Sequence, residues 1–396
     1  MATTNSISTQ ATVAEHPPAN LLVLAAAMPA EEFEGVILNL SEAFSAETLI
    51  VATQNEHAAN GNSPMRVVRV PQSSTTWTLK PADFVNAYEI AREHNVRGIV
   101  MLGPGANSLS PLALRGLADA VLNASIDLAT PHYALPPNTG LINSAIIYPL
   151  TRALFAARGR FPLAIDLGLS MRMAERLAVE ARRTSASNQG DAILWPVNEA
   201  VSAGFTVDEI DAGTRAVPQP SEIDVNAILA LVTGSLFADV ESKAAVWQRP
   251  RRTPPSRRTP TRIATAGSAA DVAHMVEAFR LANANLQEIW SLVLPPQSLV
   301  MLKRVSVVEA SAFRIPESLW ARIVFDFLIA YRLRTINRGH LMGALIPLYL
   351  AWVASHINVT ASGTSPEAHI ESVASAFEAD KPYLVARWRW PDRFNS

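Results

Sequence analysis

The side chains able to do chemistry are few and lie far apart in the chain. A carboxylate, Asp166, sits within the apolar stretch Phe161 to Leu169, and an imidazole and a phenol stand side by side at His132 and Tyr133. A guanidinium, Arg152, falls in a helical run. An acid among apolar neighbours before a helix suits either a buried positioning carboxylate or a structural one satisfied by the fold. His132 and Tyr133 follow an expected strand, Ile126 to Thr130, where a side chain either meets substrate or packs a loop. Arg152 suits a phosphate or an acidic partner, and equally a structural ion pair. The place where chemistry is most expected carries none. The apolar run Ile99 to Leu102 ends in Gly103-Pro104-Gly105, the pattern of a buried parallel strand entering a tight turn. Ligands of open α/β sheets bind at the carboxyl ends of such strands. Two glycines and a proline offer no carboxylate, imidazole or thiol there.

Other arrangements are absent from the sequence. There is no Gly-x-Gly-x-x-Gly after a strand, no phosphate loop with Gly-Lys-Ser/Thr and no Gly-x-Ser-x-Gly elbow. The eight histidines lack metal-ligand spacing, and cysteine does not occur, which removes disulfides, thiolate catalysis and Cys-ligated zinc. With 33 basic and 35 acidic residues the formal net charge is −2, so no electrostatic case exists for a nucleic-acid partner. The 396 residues are 49% hydrophobic and 17% charged, enough apolar surface for a large core.

The elements that must position these groups follow from periodicity. Strands are expected at Leu21 to Ala27, Glu47 to Ala52, Arg66 to Val70, Gly98 to Leu102, Ile126 to Thr130 and Phe205 to Ile210. Helices are expected at Ala30 to Phe44, Asp83 to His94, Pro111 to Asn123, Ile142 to Ala157, from Ser170, and at Asp191 to Ala203 and Ile223 to Val246. Phe84, Ala87, Tyr88 and Ala91 show the i, i+3, i+4, i+7 spacing of a helix face. Strands alternating with helices predict an α/β domain built on a parallel sheet.

Residues 249–262 hold six arginines and four prolines, a composition that resists packing and reads as a linker or an anion-gripping segment. Beyond it every pattern is helical: Ala269 to Leu294, Glu317 to Asn337, Leu341 to Ile357 and Ser365 to Lys381. The expected organisation is a flexible tail over 1–19, an α/β domain over 20–248, the linker over 249–262 and an all-α domain over 263–396. The tail lacks a basic start, and Leu341 to Ile357 is short for a bilayer span and contains Pro347. No membrane span is therefore expected, and the cytoplasm is the expected location.

Two longer stretches carry a family resemblance. They are Thr130-Pro131-His132-Tyr133 with Gly140, and Ile147-Tyr148-Pro149-Leu150-Thr151-Arg152-Ala153-Leu154-Phe155. With Gly190-Asp191-Ala192-Ile193-Leu194-Trp195 and Asn337-Arg338-Gly339-His340-Leu341 they resemble bacterial glycosyltransferases related to mannosylglycerate synthase and glucosyl-3-phosphoglycerate synthase. The resemblance runs from about residue 80 to 390. It implies a GT-A fold, an α/β domain that binds a nucleotide sugar, and a helical C-terminal region. It also implies that Asp191 is an active-site carboxylate, a general base toward an acceptor hydroxyl; a helix N-cap acid fits the local sequence equally. Asp166 matches the acid of the acceptor-side segment.

The departures from that family concern its metal. Relatives carry Asp-x-Asp after the central strand as ligands for a divalent ion. That position aligns with Gly103-Pro104-Gly105 here. A further metal-binding His aligns with Val217, two residues after Arg215. Arg215 is a candidate to replace the metal's charge at a diphosphate. The expectation is thus no bound metal and no cofactor, in one of two settings. The first is a catalytically silent relative with a binding, scaffold or regulatory role, paired with an active paralogue or a second copy. The second is a metal-independent transferase that moves a sugar from a nucleotide sugar to a small acceptor such as a glycerate, with His132, Tyr133, Arg152 and Arg215 around the substrates.

Overall fold

The computed structural model describes residues 19–54, 65–71, 77–163, 165–186, 193–216, 225–249 and 272–391. Among the described residues the six expected strands and one that the sequence did not mark, Leu167–Ser170, form a seven-stranded sheet. They are β1 (Leu21–Ala25), β2 (Leu49–Thr53), β3 (Arg66–Arg69), β4 (Gly98–Leu102), β5 (Leu128–Ala134), β6 (Leu167–Ser170) and β7 (Val207–Thr214). Their order is β3-β2-β1-β4-β6-β5-β7. The sheet is mixed and not wholly parallel. β6 runs antiparallel between β4 and β5, with Met101 opposite Leu167 and Leu128 opposite Leu169. The apolar stretch around Asp166 is therefore the entry to a central strand.

β1 and β4 are buried along their whole length, which is why they read as unbroken apolar runs. Alternation splits their side chains between two cores. Leu22, Leu24, Ile99 and Met101 face one layer, while Val23, Val100 and Leu102 face the other. The second layer is covered by α1 (Ala30–Ala43) and α3 (Pro111–Leu122). α3 begins where Ser110 Oγ accepts the Ala113 N–H at 3.2 Å and buries Leu114, Leu117, Ala118 and Val121 on one face. The first layer is covered by α2 (Pro81–Glu93), α5 (Met171–Ala186) and α6 (Pro196–Ala203). α6 starts at Pro196, inside the expected helix from Asp191, and residues 187–192 lie outside the described part.

The all-α region follows the α/β part, as expected. α7 (Val225–Ser242) and α8 (Ala244–Trp247) lead toward α9 (Ala273–Asn285), α10 (Gln287–Val293), α11 (Pro296–Ser306), α12 (Glu317–Leu333), α13 (Arg338–Ala361) and α14 (Pro366–Arg389). The Arg/Pro-rich residues beyond Arg249 lie outside the described part. One hydrophobic core runs without a break from the sheet into these helices. It is pinned by polar ties to α4 (Tyr148–Phe155) and to the helical turn Asn143–Ile147 before it: Trp320 Nε1 donates to Ala145 O at 2.7 Å, and Tyr148 Oη donates to Glu371 at 2.6 Å. By length and composition α7 and α13 are apolar enough to cross a membrane. The relevant window of α13 is 72% buried and that of α7 is 33% buried.

Arg152, placed by α4, faces α14. Its Nη1 lies 2.6 Å from Glu371 and its Nη2 3.0 Å from Glu378, while Nη1 also donates to Tyr148 Oη at 3.0 Å. The ion-pair setting describes this residue, since all three guanidinium nitrogens donate to Glu371, Glu378 or Tyr148. Burial works against its charge, but both carboxylates keep its pKa above the usual value. Because Glu371 and Glu378 are partly exposed, Arg152→Met is expected to lower stability by about 1–3 kcal/mol, less than a fully buried pair would. Urea denaturation reads this directly, and an unchanged midpoint would show that the clamp contributes nothing.

α13 and α14 also meet at a buried histidine pair. His356 Nδ1 and His369 Nδ1 are 2.7 Å apart, and both rings stack on Trp352. Only one of the two nitrogens can donate, so the pair is satisfied when neutral. Burial, aided by the neighbouring His369 and Arg160, pushes His356 from 6.5 down to about 3. The unfolded chain takes up this proton near pH 6.5 and the folded one only far below it, so acid favours unfolding. The stability held by the pair is complete above about pH 6.5 and declines toward pH 3. Between pH 7 and 4 the native chain is expected to lose stability more steeply than His356→Phe, as urea midpoints across that range would show.

Candidate functional site at the carboxyl edge of the sheet

Four neighbouring strands bring Gly103, Asp166, Tyr133 and Arg215 together. Gly103 follows the last residue of β4, β6 begins one residue after Asp166, and Arg215 follows the last residue of β7. Tyr133 does not follow its strand but lies within it, because β5 runs on to Ala134 along β7. The break in register between His132 and Tyr133 is the sort of irregularity that re-aims side chains near a site.

Asp166 is fully buried and accepts from every direction. Its Oδ1 takes the Gly103 N–H at 3.0 Å and Arg215 Nη2 at 3.2 Å, and its Oδ2 takes Tyr133 Oη at 2.7 Å and Arg215 Nε at 2.8 Å. Arg215 is engaged at all three nitrogens. Nη2 also donates to Pro104 O at 2.9 Å, and Nη1 donates to Ala216 O at 2.8 Å. Burial opposes the Arg215 charge, yet attraction to Asp166 and their hydrogen bonds hold its pKa above the ordinary value. Burial, reinforced by the Asp166 charge, pushes the Tyr133 phenol well up, so it remains a donor.

The turn itself is closed around this pair. Gly105 has φ +79°, and a Cβ there would lie 2.6 Å from Arg215 Nη1 and 2.8 Å from Ala216 O. A Cβ on Gly103 would stand 2.8 Å from Ile165 O. Both glycines are therefore required by the close approach of neighbouring backbone and guanidinium. Ser108 and Glu32 complete the closure: Ser108 Oγ accepts the Ala216 N–H at 3.0 Å, and Glu32 accepts the Gly105 N–H at 2.8 Å.

His132 points elsewhere, toward a second group of charges. Its Nδ1 lies 3.4 Å from Glu209, whose other oxygen accepts the Arg160 N–H at 2.6 Å. The hydrogen bond to Glu209 raises the His132 pKa against the effect of burial. Arg160 was not singled out by sequence, because nothing local marks it. Its Nε donates to Glu367 at 2.8 Å and its Nη2 to Ser144 Oγ at 2.9 Å, which ties β5 and β7 to α14. Of the six sequence candidates, the structure thus gathers Asp166, Tyr133 and Arg215, and sets His132 and Arg152 apart. Asp191 lies outside the described residues, as does Val217.

No protein-family model matches the chain, and no curated protein does. Among solved structures it is similar to glucosyl-3-phosphoglycerate synthase from Mycobacterium tuberculosis in complex with Mn2+, UDP and glucosyl-3-phosphoglycerate. That match has 15% identity and a TM-score of 0.39, and covers 58% of this chain and 81% of that one. The same enzyme with Mg2+ and UDP matches at 17% identity over 56% and 79% of the two chains, with a TM-score of 0.40. A further mycobacterial protein matches at 16% identity over 56% and 74%, also with a TM-score of 0.40. At that level of superposition the likeness adds nothing to what strand order and register already say of the fold.

Proposed function

We propose that this chain is a glycosyltransferase-like protein that does not use a metal at the strand ends and serves as a binding, scaffold or regulatory component. One observation carries the reading: the Asp166–Arg215 pair that fills the turn after β4. A divalent ion of the kind the resemblance implies needs several hard oxygen ligands with free lone pairs. Gly103 and Gly105 have no room for a carboxylate, and both oxygens of Asp166 already accept from Arg215. The donor set does not fit the ion. Nor does Arg215 supply a ready substitute, since each guanidinium nitrogen already has an acceptor and a diphosphate would have to displace one.

His132 keeps a role in this reading as a partly exposed, readily protonated side chain beside Glu209, suited to contact with an acidic partner. A second copy or an active relative of the same fold is the natural partner class. The test is calorimetric titration of the purified chain with UDP, GDP and their glucose and mannose conjugates, with and without Mn2+. Heats that do not change with Mn2+, together with no sugar transfer, are expected. Mn2+-dependent binding in the micromolar range, or transfer abolished by Asp191→Asn, would overturn the reading.

A further inference from the structure

A cleft of about 640 Å3 opens between α5, α7 and the start of α13, a size usual for small-molecule sites. None of its lining residues belongs to the Arg215 cluster. Its floor is a row of small residues one helical turn apart on α7, namely Ala230, Gly234 and Ala238. A Cβ at Gly234 would meet only Met342 Sδ, at 4.0 Å, so the row leaves open space above it. Leu177 and Leu194 wall one side, and Tyr331 and Met342 the other. Two polar side chains of the wall are already paired: Trp195 Nε1 donates to Ser235 Oγ at 3.1 Å, and Ser235 Oγ donates to Ile193 O at 3.3 Å, whereas the buried Arg338 Nε has no acceptor.

The end of the cleft near Ser242 is different in kind. Lys243 Nζ is held between Asp239 and Glu199, the latter at 3.2 Å. Arg176 Nε donates to the other Glu199 oxygen at 2.6 Å, and Arg338 Nη2 lies 3.2 Å from Glu241. Lys243, Arg176 and Arg338 are thus matched by Asp239, Glu199 and Glu241, and Glu180, the further carboxylate of the lining, is matched by Arg183 at 3.2 Å. A ligand with an ionised head would bring an unbalanced charge into this half-buried end, which is unfavourable for either sign. An ammonium has three N–H donors, and the two carboxylates leave one of those on Lys243. An uncharged oxygen can accept it without upsetting the balance.

We propose that this cleft binds an uncharged amphipathic small molecule, with its apolar body along α7 and a hydroxyl or carbonyl oxygen at the Lys243 end. From Ala230 to Ser242 the helix offers a floor of about 18 Å for that body. The inference goes beyond the reading of the Arg215 turn and does not depend on it.

The experiment titrates the full chain with 1-decanol, decanoate and decylamine, followed by calorimetry and by the change in tryptophan fluorescence that is lost in Trp195→Phe, Trp195 being the tryptophan that lines the cleft. Saturable binding of one decanol per chain is expected, with both charged analogues at least tenfold weaker. Gly234→Leu fills the floor and should weaken decanol at least tenfold, while Gly234→Ala binds as the native chain does. Ala238→Leu, one turn on, is a second filling variant should Gly234→Leu not fold. Absence of saturable decanol binding, equal binding of either ionic analogue, or indifference to a folded filling variant would each overturn the proposal.

Discussion

Arg215→Met is expected to destabilise the protein by about 3–5 kcal/mol, the cost typical of leaving a buried charge without its partner. Both side chains of the Asp166–Arg215 pair are 0% exposed, so water cannot take over the lost interaction. The loss falls on more than the pair, because the carbonyls of Pro104 and Ala216 also lose their donor. Replacing both residues, Asp166→Leu with Arg215→Met, removes two desolvated charges at once and should recover much of the loss. Recovery stays incomplete, since the Gly103 N–H and the Tyr133 hydroxyl then lack an acceptor, at about 1–3 kcal/mol for each buried group. A double-mutant cycle by urea denaturation separates these contributions. An Arg215→Met chain as stable as the native one would sink the idea of a turn closed by this pair.

Gly105→Asp, which puts back a carboxylate at the strand end, should destabilise the chain by a similar amount and gain no metal. The backbone at φ +79° disfavours any side chain, and the new Cβ would lie 2.6 Å from the Arg215 guanidinium. Strained backbone and overpacking each amount to about 1–3 kcal/mol. Gly103→Asp meets Ile165 O at 2.8 Å and is expected to behave likewise. Thermal unfolding with and without Mn2+ reads both effects. A Gly105→Asp chain with native stability would mean that the turn has room for a carboxylate, and one that Mn2+ stabilises would mean that it accepts a metal.

The pattern of apolar residues determined which segments form strands and helices, because burial on one face or two imposes period and length on the sequence itself. Leu21 to Ala27 and Gly98 to Leu102 read as strands and Pro111 to Asn123 as a helix from local signals alone, and they form Leu21–Ala25, Gly98–Leu102 and Pro111–Leu122. The same locality set the limits. An antiparallel strand at Leu167–Ser170, and a β5 carried past Thr130 to Ala134, depend on hydrogen bonds to distant strands that no short window contains. Asp166, His132, Tyr133 and Arg152 were legible from their own neighbourhoods, an acid in an apolar stretch or side chains after a strand, whereas Asp191 and Arg215 stood out only through the family resemblance. Which of them meet was not legible. Asp166 and Arg215 are 49 residues apart and join only because β6 and β7 open at the same sheet edge. Arg152 reaches Glu378 across 226 residues, and Lys243 reaches Glu199 only where α6 packs near the end of α7. Sequence established that the strand end after Leu102 carries no ligand side chain. Only the tertiary structure decided what stands there instead, because a buried charge is placed by the partner that neutralises it, and that partner comes from elsewhere in the chain.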